Sequence, residues 1–348
     1  MIDRRTFNLG LAGNLGAAGQ LGRAGHLGLA GMAAALTGGL GPMSTAARAQ
    51  TTMADRWQAY RAIVDEAARL GLAPPRVGAR LRGFDVDDAL PVFSDLVETL
   101  ERSAAAENIS AAKVDALIER AAELVRETMA SAAAPSEGRF DAQARRALGT
   151  RKRPVLNDAL RAEYERLFRT AEIRPSYRSK VAWYVNKLKD PDNQARYKQV
   201  ALEVCVPWFA VGIIHGMEAG FNFRGHLHNG DSLKRKTRNI PRNRPKTWNP
   251  PNSWELSAID ALKYDKLDNQ EDWSLAATLY RWEAYNGFRS RTIHKINTPY
   301  LWSFSSHYTK GKYVRDNVWD GNAVSRQCGA AVMLKVLVDE GIVTVPNV

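Results

Sequence analysis

The stretch VGIIHGMEAGFNFRGHLHNGD, residues 211 to 231, changes character halfway along. Its first half is apolar and extends a helical pattern that includes Val204 and Phe209, and Glu218 stands at the end of that pattern. Gly220 follows two residues later, where glycine commonly ends a helix because it adopts left-handed backbone angles without strain. Beyond it, glycine, asparagine and histidine replace the periodic apolar residues. The stretch therefore predicts a long helix that delivers one carboxyl group to the start of an irregular loop.

The surroundings of Glu218 favour the protonated form of its carboxyl group. The carboxyl end of a helix carries a partial negative charge, and the apolar side chains of Met217, Phe221 and Phe223 would exclude water. A carboxylic acid that stays protonated near neutral pH can act as the general acid in glycosidic cleavage. The alternative interpretation is an ordinary surface glutamate near a helix end.

Asp231 supplies a second carboxylate on the loop that follows. An inverting glycosidase holds its two carboxyl groups roughly 6.5 to 9.5 Å apart with water between them. A helix-end acid and a loop aspartate can meet that distance. We therefore predict Glu218 as the acid and Asp231, or a neighbouring loop group, as the group that positions water. In the same GHLHNGDSLKRKT segment, His228 and Thr237 are predicted to contact the substrate.

Apolar positions at three- and four-residue spacing predict helices over most of the remaining chain. The predicted helices are 54–72, 91–104, 110–132, 157–170, 176–188, 194–219 with a kink at Pro207, 254–264, 273–286 and 322–340. Between 220 and 252 the pattern is polar, basic and aperiodic, which predicts a long irregular or hairpin excursion. The fold class is therefore mainly α. Residues 50–150, with a linker near 131–142, are predicted to form a helical accessory region that precedes 151–348 and could dock to a protein partner.

Positive charge is concentrated in the C-terminal part. The chain of 348 residues has 49 basic and 37 acidic side chains, a net charge of +12, and residues 151 to 348 hold 32 of the basic and 20 of the acidic ones. This balance predicts an anionic partner. The densest run is Lys234, Arg235, Lys236, Arg238, Arg242, Arg244 and Lys246. Phosphate attraction is generic, but no nucleic-acid motif accompanies the run, so we expect no nucleic-acid partner.

The first 49 residues are typical of an export signal. Arg4 and Arg5 precede a weakly hydrophobic stretch rich in glycine, alanine and leucine, and an AxA cleavage pattern ends at Ala49. The paired arginines resemble a twin-arginine signal. Polar residues interrupt the apolar stretch, so stable insertion in a membrane is not expected. We therefore predict a periplasmic or secreted protein, for which acidic polymers of the cell wall are the accessible anions.

Two stretches of the chain are distinctive, MEAGFNF (Met217 to Phe223) and YRWEAYNGF (Tyr280 to Phe288). The first is similar to the glutamate motif, and the second resembles the Ala-Tyr-Asn motif, of the lysozyme superfamily and its lytic transglycosylase relatives. The stretch from Asn297 to Gly329 resembles C-terminal sequence of phage and bacterial wall-lytic proteins. The resemblance implies a lysozyme-like α+β catalytic domain over 151–348 that cleaves the β-1,4 glycan of peptidoglycan. It also implies that Tyr285 and Asn286 line the cleft, and it leaves hydrolysis and transglycosylation open.

Aromatic side chains are abundant after residue 180, and tryptophan and tyrosine faces pack well against sugar rings. Most of the tryptophans are expected in the core, Trp273 and Trp282 among them, because they fall within helical patterns. Trp302, which follows Pro299, is the better cleft candidate. Together with Tyr300, it is predicted to bind substrate.

Two other classes of function remain open. His226 and His228 form an HxH pair that could serve a zinc-dependent amidase or endopeptidase of the wall peptide, with His215 or Asp231 as third ligand and Glu218 as base. HExxH is absent, and two cysteines cannot supply a four-cysteine site, so we expect no metal and no cofactor. A non-catalytic wall-binding protein is the third possibility.

Overall fold

The computed structural model describes residues 52–72, 86–107, 111–132, 153–239, 241–249, 253–315 and 318–348. The predicted export signal lies outside the described residues, as does most of the predicted linker near 131–142.

Helices make up most of the described backbone, so the mainly α class is confirmed. The helices are α1 (Met53–Arg69), α2 (Val86–Glu107), α3 (Ala111–Ala132), α4 (Asp158–Thr170), α5 (Arg178–Lys189), α6 (Pro191–Val204), α7 (Trp208–Ala219), α8 (Trp254–Tyr264), α9 (Leu275–Asn286), α10 (Pro299–Trp302) and α11 (Ala330–Asp339). A 3₁₀ turn, Pro175–Tyr177, precedes α5, and a π-helical turn, Ser290–His294, follows α9. Strands β1 (Lys312–Arg315) and β2 (Val318–Asp320) pair antiparallel.

Side-chain caps fix where several helices begin. Thr52 and Asp55 form a capping box at the start of α1. Asn157 caps α4, Asp190 caps α6 and Ser253 caps α8, each accepting a hydrogen bond from a backbone N–H of the first turn. These residues satisfy donors that a helix cannot satisfy within itself, which stabilises each helix by about 1 kcal/mol. The caps lie at or close to the starts that the apolar spacing predicts.

Two predicted helices differ from the structure. The predicted helix 194–219 is divided into α6 and α7, and the chain bends by 114° between these two helices. Cys205 adopts a left-handed backbone (φ 53°) and Pro207 offers no backbone N–H, so the helix stops and restarts in a new direction. The predicted helix 322–340 begins only at Ala330. Before it, Gly329 lies against α10, where a Cβ atom would be 2.2 Å from the carbonyl oxygen of Leu301.

α7 lies in the core of the C-terminal part. From Phe209 to Ala219 every residue is buried except Glu218. Gly216 permits close packing here, because a Cβ atom at that position would be 2.5 Å from the ring of Phe221. The ring therefore folds back against the helix that ends just before it, and Glu218 is left as the partly exposed side chain of an otherwise buried turn.

The N-terminal helices pack against the segment that follows α7. A Cβ atom at Gly220 would be 3.0 Å from the sulfur of Met129 in α3, and the hydroxyl of Ser94 in α2 donates to the carbonyl of Gly220 at 3.3 Å. Arg224 pairs with Glu101 of α2 at 2.6 Å and with Asp115 of α3 at 2.7 Å. The chain from Gln50 to Val348 accordingly forms one compact unit, and α1 to α3 are part of it.

In the described ranges, no single helix has the length and apolar composition needed to cross a membrane. α6 and α7 reach them only when taken together across their bend.

Candidate functional site

The candidate site is centred on Glu218, in the last turn of α7. Gly220 takes the left-handed conformation (φ 57°) that ends the helix, as the sequence predicts. The last turn of α7 is fixed by Gln327, whose side-chain amide donates to the carbonyl of Met217 at 2.6 Å. Gln327 is buried. It occupies one of the free carbonyls at the helix end, so the position of Glu218 depends on a residue far along the chain.

Tyr300 contacts Glu218, and Tyr285 lies next to Tyr300. The hydroxyl of Tyr300, on α10, donates to Oε1 of Glu218 at 3.3 Å. The ring of Tyr285, at the end of α9, lies 6.4 Å from the ring of Tyr300. Tyr300 thus contacts both of the other residues, Glu218 by a hydrogen bond and Tyr285 ring to ring, and the sequence assigns all three to catalysis or substrate binding. Their arrangement presents a carboxyl group with a phenolic hydroxyl next to it, both beside aromatic surface.

The loop that contains Asp231 folds back against α7. Gly230 adopts φ 76°, and a Cβ atom there would be 2.9 Å from the carbonyl oxygen of Glu218. The carboxylate of Asp231 accepts hydrogen bonds from the backbone N–H groups of Arg238 at 2.7 Å and Asn239 at 2.8 Å, and from the side-chain amide of Asn239 at 2.7 Å. Both oxygens of Asp231 are therefore engaged within the loop, which supports a role in holding the loop closed.

Thr237 is buried inside the same excursion. Its hydroxyl donates to the carbonyl of Pro241 and accepts from the backbone N–H of Arg244 at 2.9 Å, and its own N–H donates to the carbonyl of Arg244 at 2.8 Å. These bonds give an irregular segment a defined shape without a regular strand. The structure thus places Thr237 in the interior of the loop, away from any surface that a substrate could reach.

The two histidines of the HxH pair are buried and hold the excursion to α8. The ring nitrogens of His226 contact the hydroxyl of Ser257 at 2.8 Å and the carbonyl of Arg235 at 2.7 Å, and burial lowers the pKa of His226. Nε2 of His228 contacts Asp260 at 2.8 Å, and Asp260 also binds Arg244. Because both nitrogens of His226 are already used, the pair is not arranged as zinc ligands. Among the described residues no group of three or more potential metal ligands is found.

Asn286 and Trp302 are buried in this structure. Trp302 is 0% exposed, and its ring packs edge-on to that of His307. Asn286 is 3% exposed, and its amide nitrogen finds no hydrogen-bond acceptor among the described residues. A buried donor without an acceptor is costly, so Asn286 marks a point where a ligand or water would be favourable. Trp302 is a core residue of the site's framework.

A buried ion-pair network holds the YRWEAYNGF motif through Glu283, a residue of the motif. Glu283 is 0% exposed and accepts hydrogen bonds from Arg291 at 2.9 and 3.0 Å and from the hydroxyl of Tyr164 at 2.5 Å. Arg291 also pairs with Glu163 at 2.7 Å. The network joins α4, α9 and the π-helical turn. Burial and then the charge of Glu283 raise the pKa of Tyr164. Burial opposes the charge of Arg291, but its hydrogen bonds and ion pair with Glu283 raise the pKa of Arg291 above the usual value. Sequence reasoning missed Glu283, although a charged residue within a helix's apolar pattern was a visible signal.

His215 lies one turn before Glu218 in a wholly buried position. Its Nδ1 is 3.0 Å from the hydroxyl of Tyr197, and the rings of Phe223 and Trp254 lie 4.5 Å away. Burial lowers the pKa of His215 to about 3. The ring is therefore neutral at physiological pH and adds no positive charge beside the end of α7.

The basic run is only partly neutralised. Lys234 pairs with Asp115 at 2.9 Å and Arg244 pairs with Asp260. The side-chain amine of Lys236 donates to the carbonyl of Lys246. Five exposed members of the run have no ion pair with a described residue; they are Arg235, Lys236, Arg238, Arg242 and Lys246. A positive surface therefore remains on the excursion that folds back against α7.

Comparisons of the chain with protein-family models, with curated proteins and with solved structures found no match.

Proposed function

We propose that the protein cleaves the β-1,4 glycan backbone of peptidoglycan, with Glu218 as general acid. The observation that carries the proposal is the contact between Tyr300 and Glu218 at the only partly exposed position from Phe209 to Ala219. A hydrogen bond from a buried tyrosine fixes the direction of the carboxyl group, as proton transfer to a leaving oxygen requires. The resemblance of the two motifs to those of lysozyme-like enzymes supports the same chemistry.

The hydrogen bonds of Asp231 favour a route with one carboxyl group. In that route Glu218 gives its proton to the glycosidic oxygen, and the bond between that oxygen and the anomeric carbon breaks. The carboxylate then takes the proton of a hydroxyl group of the same sugar as that hydroxyl attacks the anomeric carbon. No water is added, and the product carries an anhydro end. Hydrolysis, with water as the attacking group, would leave a reducing end instead.

The test is digestion of purified sacculi with the wild-type chain, followed by mass spectrometry of the soluble fragments. We expect anhydro ends from wild type and a loss of rate of about 10² to 10⁴ for Glu218→Gln, the usual contribution of a general acid. Glu203→Gln is the matched control, because Glu203 is an exposed glutamate on the preceding helix. Reducing ends would reject the one-carboxyl route. The proposal fails if wild type releases no glycan fragments while a control lysozyme does.

Wall binding without cleavage gives a different result in the same assay. A wall-binding protein would sediment with sacculi and release nothing, whether Glu218 is present or replaced. The predicted export signal agrees with an extracytoplasmic substrate, and a protein partner for α1 to α3 stays a prediction.

A further inference from the structure

A cavity of about 460 Å³ lies apart from the Glu218 carboxyl, between α4, the π-helical turn and the segment before β1. Its lining includes Glu163, Arg291, Lys295, His307 and Lys310, and neither Glu218 nor Tyr300 belongs to it. A volume of this size is typical of pockets for small ligands. The sequence motifs did not point to it.

The lining is rich in positive charge. Arg291 is already held by Glu163 and Glu283, so the two lysines are the available cations. Lys295 is exposed, and Lys310 donates to the side-chain oxygen of Asn322 at 2.7 Å. Neither ammonium group forms an ion pair with a residue that the structure describes. The pocket therefore offers two ammonium groups without an ion pair to a described residue. The one carboxylate among the lining residues is that of Glu163.

The backbone at Lys295 is held in an uncommon conformation. Lys295 has φ 56° and donates its backbone N–H to the carbonyl of Ser290, which closes the π-helical turn. A left-handed lysine costs of order 1 kcal/mol or more, and such strain and π-helical turns are both frequent at functional sites. Here the conformation keeps Lys295 in the wall of the cavity.

The pocket shares its framework with the Glu218 site. Asn297 and His307, two of its lining residues, flank α10 in the chain, and the amide of Asn297 donates to the carbonyl of His307 at 3.1 Å. α10 carries Tyr300, the residue that contacts Glu218. A polymer bound at Glu218 and a group bound in the pocket would therefore be held by the same segment of chain.

We propose that this pocket binds a carboxylate of the peptide that substitutes the glycan strand, with Lys295 and Lys310 as its ligands. The inference rests on the proposed function and names a second contact with the same polymer. Arg291 faces two carboxylates, those of Glu163 and Glu283, so this wall keeps an excess of negative charge, which disfavours a doubly charged phosphate more than a singly charged carboxylate. An ammonium group donates strong hydrogen bonds to a carboxylate, and two of them give the site its selectivity over a neutral amide.

The test is calorimetric titration of the full chain with N-acetyl-alanyl-glutamate, with the corresponding neutral diamide, and with inorganic phosphate. We expect the acidic dipeptide to bind at least about tenfold more tightly than the diamide, because charge-assisted hydrogen bonds are lost in the latter. It should also bind more tightly than phosphate. Lys295→Gln combined with Lys310→Gln should weaken dipeptide binding at least about tenfold. Lys263→Gln combined with Lys266→Gln, which removes two charges from exposed positions outside the lining, should leave it within about twofold.

Equal affinity in the two double variants, tighter binding of phosphate, or no binding of the dipeptide to wild type would each overturn the proposal. The Glu218→Gln protein separates this test from that of the proposed function, because it should bind the dipeptide as wild type does. Release of glycan fragments by wild type without dipeptide binding rejects the pocket alone. Dipeptide binding without any glycan cleavage rejects the proposed function and, with it, the assignment of the pocket to this polymer.

Discussion

The phenolic oxygen of Tyr300 lies 3.3 Å from Oε1 of Glu218 and links α10 to the end of α7. The two residues are far apart in the chain, so their contact depends on how α7 and α10 pack in the fold. α10 is held in turn by Gly329, whose backbone N–H donates to the carbonyl of Ser303 at 3.1 Å. Tyr300 therefore supports the carboxyl group from one side, while Gln327 fixes the helix end.

Tyr300→Phe should lower kcat without changing KM greatly. The variant keeps the aromatic ring and removes only the hydrogen bond that orients Glu218, and loss of orientation costs roughly 10- to 100-fold. The measurement is kcat and KM on soluble glycan fragments across pH 4 to 8, with the position of each limb of the pH profile. Tyr264→Phe, at a half-exposed tyrosine, is the control. An unchanged kcat and pH profile would mean that Tyr300 does not act on Glu218.

Asp231→Asn should lower the stability of the fold clearly and the catalytic activity only modestly. An amide cannot accept all three hydrogen bonds that the carboxylate accepts, so the free energy of unfolding should fall by about 1 to 3 kcal/mol. Urea unfolding measures that loss, and activity per folded molecule should stay within about tenfold of wild type. Asp192→Asn, at an exposed aspartate of α6, is the control. A stable Asp231→Asn protein with activity reduced by orders of magnitude would identify Asp231 as the second catalytic group.

Much of the fold follows from local sequence, and the remainder depends on contacts between distant residues. Apolar spacing and capping side chains locate most of the helices. The bend between α6 and α7 involves Pro207 and the left-handed backbone of Cys205. The proline can be read from the sequence, whereas the backbone conformation of Cys205 cannot. The β1–β2 pair is short, and its register is irregular between Tyr313 and Arg315. The sequence therefore shows no clear alternation of polar and apolar residues that would predict these strands.

The part of the site that can be predicted from the sequence is the part that a local pattern marks. Glu218 ends an apolar helix before a glycine, and that pattern is local. Composition alone does not separate a cleft from a core: the sequence predicts that His228, Thr237 and Trp302 bind substrate, and all three side chains are buried. Gln327 acts through one hydrogen bond to a carbonyl more than a hundred residues earlier, and no local pattern marks it.

Deletion of residues 1 to 135 should leave a poorly folded fragment. α2 and α3 cover Gly220, and the hydroxyl of Ser232 on the excursion donates to Glu119 of α3 at 2.9 Å. Removing these helices exposes apolar surface next to the Glu218 turn. Gel filtration, dye binding and urea unfolding measure the effect. Deletion of residues 1 to 49 is the control, because the compact unit begins at Gln50. A monomeric fragment that unfolds cooperatively and remains active would show that 50–150 is a separate accessory region.

His215 should make stability fall as the pH decreases. The pKa of His215 is about 3 in the folded chain and about 6.5 in the unfolded chain, so between those values the unfolded chain binds the additional proton. The stability is therefore fully present above pH 6.5 and is lost progressively towards pH 3, by about 1.4 kcal/mol per pH unit. The variant His215→Asn retains an acceptor for Tyr197 and removes the titration.

Urea unfolding at pH 7 and pH 5 measures this effect. Between these two values wild type should lose roughly 2 kcal/mol more than His215→Asn does. Parallel losses in the two proteins would show that His215 is protonated equally in both states and is not the buried neutral ring described above.

The exposed cations of the excursion should control how binding to sacculi depends on salt. Screening shortens the range of attraction from about 10 Å at 0.1 M to about 3 Å at 1 M salt. Replacing Arg235, Arg238, Arg242 and Lys246 by glutamine should flatten the salt dependence, because these four have no ion pair with a described residue. Lys234→Gln is a contrasting control, since Lys234 is already paired with Asp115. Co-sedimentation with sacculi from 0.05 to 1 M salt, beside turnover of a short neutral oligosaccharide, separates capture from cleavage. If the fourfold variant follows the wild-type salt curve, the run is a solvated loop and the wall is bound elsewhere.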